Sequence, residues 1–281
     1  MKEITKRGNY MKNLKQKLIA GLLVLSAFLY WQNHGLTVTE MEYNGEVPAA
    51  FNGYKILHLS DLQNQSFGKN QKTLLKKIKT ISPDAIVFTG DLLDRNKTDV
   101  DKALAFMEEA VQLAPIYFVS GNHDHQSGCW DELAEGLTEI GVVVLENGKT
   151  TITKGEDEIT VIGLADKLVN PYYKSVLQSF CNGLEMDTFT ILLSHRPELF
   201  EYYVEMGVTL AFSGHAHGGQ IRLPFVGGLF APHQGFFPSY TSGMYIEDDT
   251  AMVVSRGLGN SVFPFRIFNR PELVVVTLEK N

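Results

Sequence analysis

The 281-residue sequence has little cysteine, with only Cys129 and Cys181. Two cysteines cannot form a disulfide scaffold or a four-cysteine zinc site, so both classes are excluded. The pair could form one disulfide or remain as free thiols, and the sequence leaves both open. The composition also excludes a disordered chain, because 44% of the residues are hydrophobic and only 20% are charged.

Long hydrophobic runs are scarce as well, which excludes a membrane protein with several spans. The single prominent run covers residues 18–39, which contain no charged side chain. We expect a membrane anchor there, because roughly 20 mostly apolar residues cross a bilayer and Tyr30 and Trp31 suit its interface. A cleaved signal peptide and a core helix are the alternatives, although bulky residues follow the small pair Ser26 and Ala27.

Basic charge is concentrated at one end of the chain. Residues 1–17 carry six basic side chains and one acidic one, a net charge of +5, whereas the whole chain has −7 and the remainder therefore −12. Because basic flanks stay in the cytoplasm, we expect residues 1–17 inside the cell and the body outside, or secreted if the apolar run is cleaved. The acidic body does not suit nucleic acid, whose binding depends on neutralising phosphates.

From about Gly53 onward, short apolar runs alternate with helix-like stretches, which is typical of an α/β chain. We predict strands over residues 54–59, 85–89, 116–120, 190–193 and 209–212, and a hairpin joining 150–153 to 159–162. We predict helices over residues 69–81, 98–114, 131–140, 171–180 and 197–206. Because no repeat or long linker divides this part, residues 47–281 are expected to form one domain.

Five of the predicted strands end in a small residue followed by polar side chains. These polar residues are Asp61, Asp91, Asn122, His123, Asp124, His195, His215 and His217. Ligands bind beyond the carboxyl ends of strands in α/β sheets, so the five ends can converge on one site. Their oxygen and imidazole donors suit Mn, Zn or Fe. Any one of them alone is better explained as a turn residue or a structural histidine, but five equivalent positions favour a metal site.

The order of these motifs resembles that of the calcineurin-like metallophosphoesterase superfamily. The family pattern is Asp-x-His, Gly-Asp-x-x-Asp, Gly-Asn-His-Asp/Glu, a lone His and Gly-His-x-His. The matching residues here are Asp61-Leu62-Gln63, Gly90-Asp91-Leu92-Leu93-Asp94, Gly121-Asn122-His123-Asp124, His195 and Gly214-His215-Ala216-His217. The segments GHAHGGQIRLPF and SRGLGNSVFPFRIFNRPEL are similar to a branch of exported or membrane-attached bacterial phosphoesterases. The resemblance implies a four-layer α/β/β/α sandwich of two mixed sheets.

The resemblance also implies two divalent metal ions (Mn, Zn or Fe) that share a hydroxide able to attack phosphorus. The first metal would be held by Asp61, Asp91 and His217, and the second by Asp91, Asn122, His195 and His215. Asp91 would then bridge the two ions. His123 would protonate the leaving oxygen, with Asp124 or Asp94 orienting its ring.

One departure from the family pattern concerns the first metal. Gln63 stands where the family has histidine. A glutamine oxygen can bind a hard cation, but it is a weaker, neutral donor than imidazole for zinc. We therefore expect Gln63 either to ligate or to leave a looser site, filled by water or selective for Mn or Mg. His58 is expected to pack within the sheet, because it faces away from Asp61.

The function implied is hydrolysis of a phosphodiester, pyrophosphate or phosphomonoester, on a substrate that an anchored enzyme would find in lipid or cell wall. The alternative is a degenerate metal-binding or ligand-binding protein, motivated by Gln63. Four arginines are candidate phosphate contacts or merely exposed charges: Arg95, Arg222, Arg256 and Arg266. His125 and His233 are expected to be peripheral. Five aromatic residues are expected to pack a long loop on the body, with a greasy groove or lipid contact as the alternative: Phe225, Phe230, Phe236, Phe237 and Tyr240.

Overall fold

A computed structural model describes residues 2–167, 170–185, 188–261 and 263–281. Helix α1 (Lys2–His34) precedes the body, and its part from Tyr10 to His34 is long and apolar enough to cross a membrane. None of the most apolar stretch of α1 is buried. Only the last turn enters the body, where Gln32 and Asn33 are buried.

The first sheet has six strands, of which two at one side run parallel to each other and antiparallel to the other four. In spatial order they are β1 (Thr37–Gly45), β16 (Glu272–Lys280), β2 (Tyr54–Leu59), β3 (Ala85–Thr89), β4 (Ile116–Val119) and β5 (Val143–Val144). The antiparallel pair is β16 with β2, and the other pairs are parallel. The sheet thus begins at Thr37, earlier than the predicted domain boundary at residue 47 and inside the stretch predicted as the anchor.

The second sheet also has six strands and mixed directions. In spatial order they are β14 (Gly243–Glu247), β15 (Thr250–Val254), β9 (Leu210–Ser213), β8 (Thr190–Leu193), β7 (Asp157–Gly163) and β6 (Gly148–Lys154). The central strands β15, β9, β8 and β7 are parallel, and the hairpins β14–β15 and β6–β7 close the two edges. The predicted hairpin is therefore confirmed.

The two sheets face each other across a buried apolar layer, and helices cover their outer faces. Ile56 and Val87 of the first sheet share this layer with Ile191 and Phe212 of the second. The helices over the first sheet are α2 (Lys72–Ile81), α3 (Val100–Val111) and α5 (Trp130–Glu139), and those over the second are α6 (Tyr173–Cys181) and α7 (Phe200–Glu205). The predicted four-layer α/β/β/α sandwich is confirmed.

Local sequence explains the helices that bound the site. In α3, the Asp99 side chain accepts a hydrogen bond from the Lys102 N–H and caps the first turn. In α2, Leu74 and Ile78 lie one turn apart and are fully buried, so one face packs on the first sheet. Short helix α4 (Asn122–Gln126) follows β4 directly.

Two short hairpins follow the second sheet's central strands. They are β10 (Arg222–Leu223) with β11 (Gly227–Gly228), and β12 (Phe230–Ala231) with β13 (Gly235–Phe236). The cysteines lie in different helical layers, and both are free thiols, which answers the question that the sequence left open.

Candidate metal centre

The polar residues predicted at the strand ends come together where the two sheets meet. Within the first sheet, the Asp61 N–H donates to the Gly90 carbonyl at 2.9 Å. Between the sheets, the His215 N–H donates to the Asp61 carboxylate at 3.1 Å. Within the second sheet, the Gly214 N–H donates to the His195 carbonyl at 3.3 Å. The loops after β2, β3, β8 and β9 therefore form one connected site.

One ligand group consists of Asp61, Asp91 and His217, whose ligand atoms all lie within 4.8 Å of one another. His217 Nε2 is 3.3 Å from Asp61 Oδ1. All three side chains are buried. This is the set predicted for the first metal.

A second group consists of Asp91, His195 and His215, again with all ligand atoms within 4.8 Å. His195 Nδ1 donates to the Thr89 carbonyl at 2.7 Å, so its Nε2 is the atom that faces Asp91, at 3.4 Å. Asp91 belongs to both groups, as expected of a bridging carboxylate. Asn122 has a buried side-chain oxygen with no hydrogen-bond partner, as an oxygen reserved for a metal would have.

The backbone at the site is strained, which is better explained by a functional site than by ordinary turns. Asp61, Asp91, His215 and His217 all have left-handed backbone angles, with φ of 52°, 56°, 64° and 46°. Non-glycine residues seldom adopt this region, and such strain clusters at functional sites. Gly214 packs so closely on Ser60 that a Cβ atom there would collide with its hydroxyl. The close approach explains why a glycine precedes the ligand histidine.

The pKa values of the buried carboxylates and histidine are consistent with a cation-binding site. Burial raises the pKa of Asp61 to about 6, against the opposing influence of His195. Burial also disfavours ionised Asp91, but His195 beside it holds the pKa of that carboxyl below its ordinary value. The same contact raises the pKa of His195 to about 10, although burial alone would lower it. A divalent cation would replace these shared protons, so the donor set fits a metal.

Comparison with known proteins identifies the family. The sequence profile of the family described as Calcineurin-like phosphoesterase matches residues 54–219. The chain belongs to the calcineurin-like phosphoesterase family. Members bind divalent metals and hydrolyse phosphate esters, and the two ligand groups above are candidate metal-binding clusters. The chain is thus a metal-dependent phosphoesterase.

Three relatives of this phosphoesterase illustrate its range. It is 32% identical to the "Uncharacterized metallophosphoesterase YkuE" of Bacillus subtilis over 99% of each chain. It is 26% identical to the "Phosphodiesterase YaeI" of Escherichia coli, over 80% of this chain and 82% of that protein. It is 27% identical to the "Transmembrane protein with metallophosphoesterase domain" of Danio rerio, over 84% of this chain and 55% of that protein.

Gln63, the departure from the family pattern, lies inside the first ligand group. Its side-chain nitrogen is 3.2 Å from Asp91 Oδ2 and 3.2 Å from His217 Nε2, while its oxygen is buried without a partner. Rotating the amide by half a turn would exchange the two atoms and direct the oxygen at the group. Gln63 is therefore placed to ligate by its oxygen, or to hydrogen-bond to the ligands through its nitrogen.

His123, the predicted proton donor, lies in the first turn of α4. Its backbone N–H donates to Asp91 Oδ1 at 2.7 Å, and its ring Nδ1 accepts from the Arg95 N–H at 3.4 Å. In the neutral ring this leaves the proton on Nε2. Burial lowers the pKa of His123, although Asp91 opposes the change.

Asp124 has a different role from the one expected. Its two carboxylate oxygens accept backbone N–H groups of Asp91, Leu93 and Gly121 at 2.8–2.9 Å. It therefore braces the loops after β3 and β4, and these bonds, not one to the His123 ring, occupy it. Asp94 Oδ1 likewise accepts from a backbone N–H. The expectation that Asp124 orients His123 is not supported by its hydrogen bonds.

Sequence reasoning missed a buried arginine beside the second ligand group. Arg196 donates to both carboxylate oxygens of Asp166 at 2.7 and 2.9 Å, and its Nη1 lies 3.2 Å from His215 Nε2. Two signals were available. Arg196 directly follows His195, and Asp166 follows β7 in another run of small residues ending in a carboxylate.

His233, expected to be peripheral, instead stacks on a metal ligand. Its ring lies 5.2 Å from that of His215, and its Nδ1 is 3.0 Å from His215 Nε2. If His215 donates through Nε2, its Nδ1 lone pair is free to face the metal group. The expectation is wrong because the hairpin segment carrying His233 folds back over the site. His125 is outside the ligand groups, where its Nε2 pairs with Ser120 at 2.7 Å.

The four candidate phosphate-binding arginines all have protein partners. Arg256 pairs with Glu272 at 2.8 Å, and Arg222 donates to the Gly218 carbonyl at 2.9 Å. Arg266 is fully buried among backbone carbonyls. The most exposed of the four is Arg95, which bonds to Gln126 of α4, the helix that carries His123.

His58 packs as expected. Its Nε2 lies 2.8 Å from Thr89 Oγ1, its ring meets Phe212 edge-on, and it belongs to neither ligand group. Burial lowers the pKa of His58 to about 3, so it is a neutral core residue at physiological pH.

Proposed function

We propose that this phosphoesterase uses two divalent cations, Mn, Zn or Fe, to hydrolyse a phosphodiester, pyrophosphate or phosphomonoester at the outer face of the cytoplasmic membrane. The sharing of Asp91 between two buried ligand groups carries the two-cation proposal. The first cation would be held by Asp61, Asp91 and His217, with Gln63 as a further ligand. The second would be held by Asp91, Asn122, His195 and His215.

Cations held there would activate water and neutralise the charge on the phosphate oxygens. The chain itself supplies the proton and the positioning. His123 carries its proton on Nε2 and gives it to the leaving oxygen. The Asp91 contact to the His123 backbone fixes this ring relative to both ligand groups. Asp124 holds the backbone of Asp91 and Gly121, so that the ligand and proton-donor loops keep one geometry.

The membrane location is supported by α1 and by the charge at its start. The helix is long and apolar enough to span, and basic residues precede its apolar part. Basic flanks favour the cytoplasm, which places the body on the opposite side. The Danio rerio relative, named a transmembrane protein, agrees with anchorage. An anchored enzyme favours substrates linked to lipid or cell wall, whereas the acidic body disfavours nucleic acid.

The test is hydrolysis of bis-p-nitrophenyl phosphate by the full chain in detergent with Mn²⁺, with Asn122→Ala as the control. We expect metal-dependent turnover that falls by at least about 10²-fold in the variant, because an oxygen ligand of the catalytic metal is lost. Wild-type turnover no higher than that of the folded, metal-supplied variant would contradict the proposal.

A second candidate is a binding protein with a disabled first site. The hydrogen bonds from the Gln63 nitrogen to Asp91 and His217 favour it, because they could occupy the space of a cation. Gln63→His distinguishes the two functions. Activity that appears only in that variant would make the natural chain a binding protein.

A further inference from the structure

The body carries a surface of exposed aromatic side chains in two loops that both adjoin the metal site. We call it the aromatic face, and it consists of Phe225, Phe230, Phe236, Phe237, Phe263, Phe265 and Phe268. Each of these rings is exposed, and Phe225 is completely so, whereas Phe236 is 77% exposed. The expectation that the first loop packs its aromatics on the body is wrong for all of them except Tyr240, which packs against Phe200. So many exposed phenylalanines together mark an interaction surface.

The two loops of the aromatic face are joined to each other. Ile221, just before the β10–β11 hairpin, forms a parallel bridge with Ile267, and the Arg222 N–H donates to the Ile267 carbonyl at 3.0 Å. Within the second hairpin, the rings of Phe230 and Phe236 lie 5.4 Å apart. The loops are therefore one continuous part of the body.

The aromatic face also touches the apolar helix. The ring of Phe268 lies 5.8 Å from that of Phe28. Phe28 stands six residues before the end of α1 at His34, which is about 9 Å along a helix. It also precedes Tyr30 and Trp31, the aromatic pair suited to a membrane interface. Phe268 therefore lies beside the apolar part of α1, at a level that an inserted helix would bring to the membrane.

The contact is fixed by hydrogen bonds at the end of the helix. Asn33 Oδ1 accepts from the Arg266 N–H and from Asn260 Nδ2, each at 3.0 Å. The Arg270 guanidinium lies over the Trp31 ring at 4.5 Å. These bonds hold the second loop against the helix, so the loop cannot turn away from a bilayer that surrounds α1.

The charges of the two loops agree with a lipid partner. Residues 219–240 contain one arginine and no acidic residue, and residues 256–271 contain three arginines and no acidic residue. The body as a whole carries a large excess of acid. Because Arg222, Arg256 and Arg266 are held by protein partners, the feature that matters is the lack of carboxylates, whose burial would oppose entry of the phenylalanines into the membrane interface.

We propose that the aromatic face inserts into the outer surface of the same bilayer that holds α1, and so seats the metal site against the membrane. The proposal rests on the membrane anchorage proposed above. The first hairpin begins five residues after the metal ligand His217, so seating this face brings the site to lipid-linked phosphates.

The experiment places tryptophan at Phe225 or Phe236 of the full chain. Each variant, Phe225→Trp and Phe236→Trp, is reconstituted into phosphatidylcholine–phosphatidylglycerol vesicles with and without brominated acyl chains, which quench nearby indoles. Glu156→Trp is the matched control, because Glu156 is exposed in the turn between β6 and β7, at the opposite end of these strands from the site. Every protein also carries Trp130→Phe, so that Trp31 is the one remaining native tryptophan and reports whether α1 is inserted.

We expect brominated lipid to reduce the emission added at positions 225 and 236 about twofold or more, since an interfacial ring lies within about 5–10 Å of the acyl boundary. Emission added at position 156 stays unchanged. Quenching of Trp31 without quenching at 225 or 236 would overturn the proposal while leaving the anchor intact. A blue shift at 225 that bromine does not quench would assign the face to another occupant, such as a second copy. Unquenched Trp31 would overturn anchorage and docking together.

Turnover of the soluble diester is measured on the same vesicles and reads the phosphoesterase activity separately. Phe225→Ser combined with Phe236→Ser should retain that turnover, because neither ring touches a ligand group. If the wild-type protein shows no turnover while positions 225 and 236 are still quenched, the proposed reaction is contradicted and the proposed docking surface is not.

Discussion

At the residue scale, His123 is held between Asp91 and Arg95 with its ring proton left on Nε2. His233 is held on the other side of the site, where it meets His215. Neither residue is in the two ligand groups that share Asp91, although His233 forms a further possible group with Glu198 and His215. In the proposed reaction, His123 would act through its ring proton and His233 through its contact with His215.

His123→Ala should slow hydrolysis of a diester with an alkyl leaving group by about 10²–10⁴-fold, because the leaving oxygen loses its acid. The loss should be much smaller for p-nitrophenolate, which leaves without a proton. Steady-state kcat on the two substrates measures the difference. Equal losses on both would show that His123 positions the substrate and does not protonate it.

His233→Ala should weaken metal affinity or activity by about 10–100-fold, because His215 loses the ring that stacks on it and contacts its Nε2. His233→Gln keeps an acceptor and should restore part of the loss. Mn²⁺ titration of turnover measures both variants, and His125→Ala is the control because it lies outside the ligand groups. Equal affinities in His233→Ala and wild type would remove His233 from the metal site.

At the scale of elements, the end of α1 is connected to the metal site through one side chain. Gln32 Oε1 accepts from the Asn269 N–H at 3.3 Å, and Asn269 Nδ2 donates to the His217 carbonyl at 2.7 Å. These hydrogen bonds connect the helix, through the loop before β16, to His217, whose backbone is strained.

Asn269→Ala should therefore reduce Mn²⁺ affinity by about tenfold or more, since partners that orient a ligand contribute to binding. Calorimetric titration of Mn²⁺ into the full chain measures it. Asn260→Ala, which removes a contact to Asn33 on the same helix but none to His217, is the matched control. A similar loss in both variants would indicate a general effect of loosening the helix.

The core histidine of β2 predicts a pH dependence of stability. The pKa of His58 is lowered to about 3 in the folded chain by burial, against an ordinary value of 6.5. Between these values the unfolded chain binds the proton and the folded chain does not, so stability falls as pH drops from about 6.5 towards 3. His58→Gln should remove up to about 1.4 kcal/mol per pH unit of this loss. Urea unfolding of both proteins in EDTA between pH 4 and 6 checks it, and parallel curves would contradict it.

The sequence was most informative for the central strands, which are buried on both faces. The strands of the two sheet centres and the ligands after them follow from buried apolar runs that end in a small residue. β1 was missed because an edge strand buries little, so Thr37–Gly45 has hardly any apolar signal. The aromatic residues of the first loop were predicted to pack on the body because an aromatic ring avoids water, but the sequence does not show which neighbour replaces the water. His233 and Arg196 were missed because they meet the site through tertiary contact.

At the scale of the whole molecule, the metal site joins the two sheets. Asp61 and Asp91 follow strands of the first sheet, whereas His195, His215 and His217 follow strands of the second. A cation bound between them would bind the folded chain alone.

Mn²⁺ at a hundred times its Kd should therefore stabilise the fold by about 2.7 kcal/mol. Asp91→Asn should lose this gain, while Asp94→Asn, outside both ligand groups, should keep it. Thermal unfolding with Mn²⁺ and with EDTA measures the difference. An unchanged gain in Asp91→Asn would place the ion elsewhere.

Only Gly35 and Leu36 separate α1 from β1, and the last turn of the helix is already buried in the body. Two extended residues reach about 7 Å. With α1 in the bilayer, this short connection holds the catalytic body at a fixed distance from the membrane. The body then diffuses laterally together with its anchor. Its encounters with substrate then become a two-dimensional search at fixed height. Phosphates on lipids reach the site by lateral diffusion. Phosphates on a wall polymer reach it only where the polymer comes close to the membrane surface.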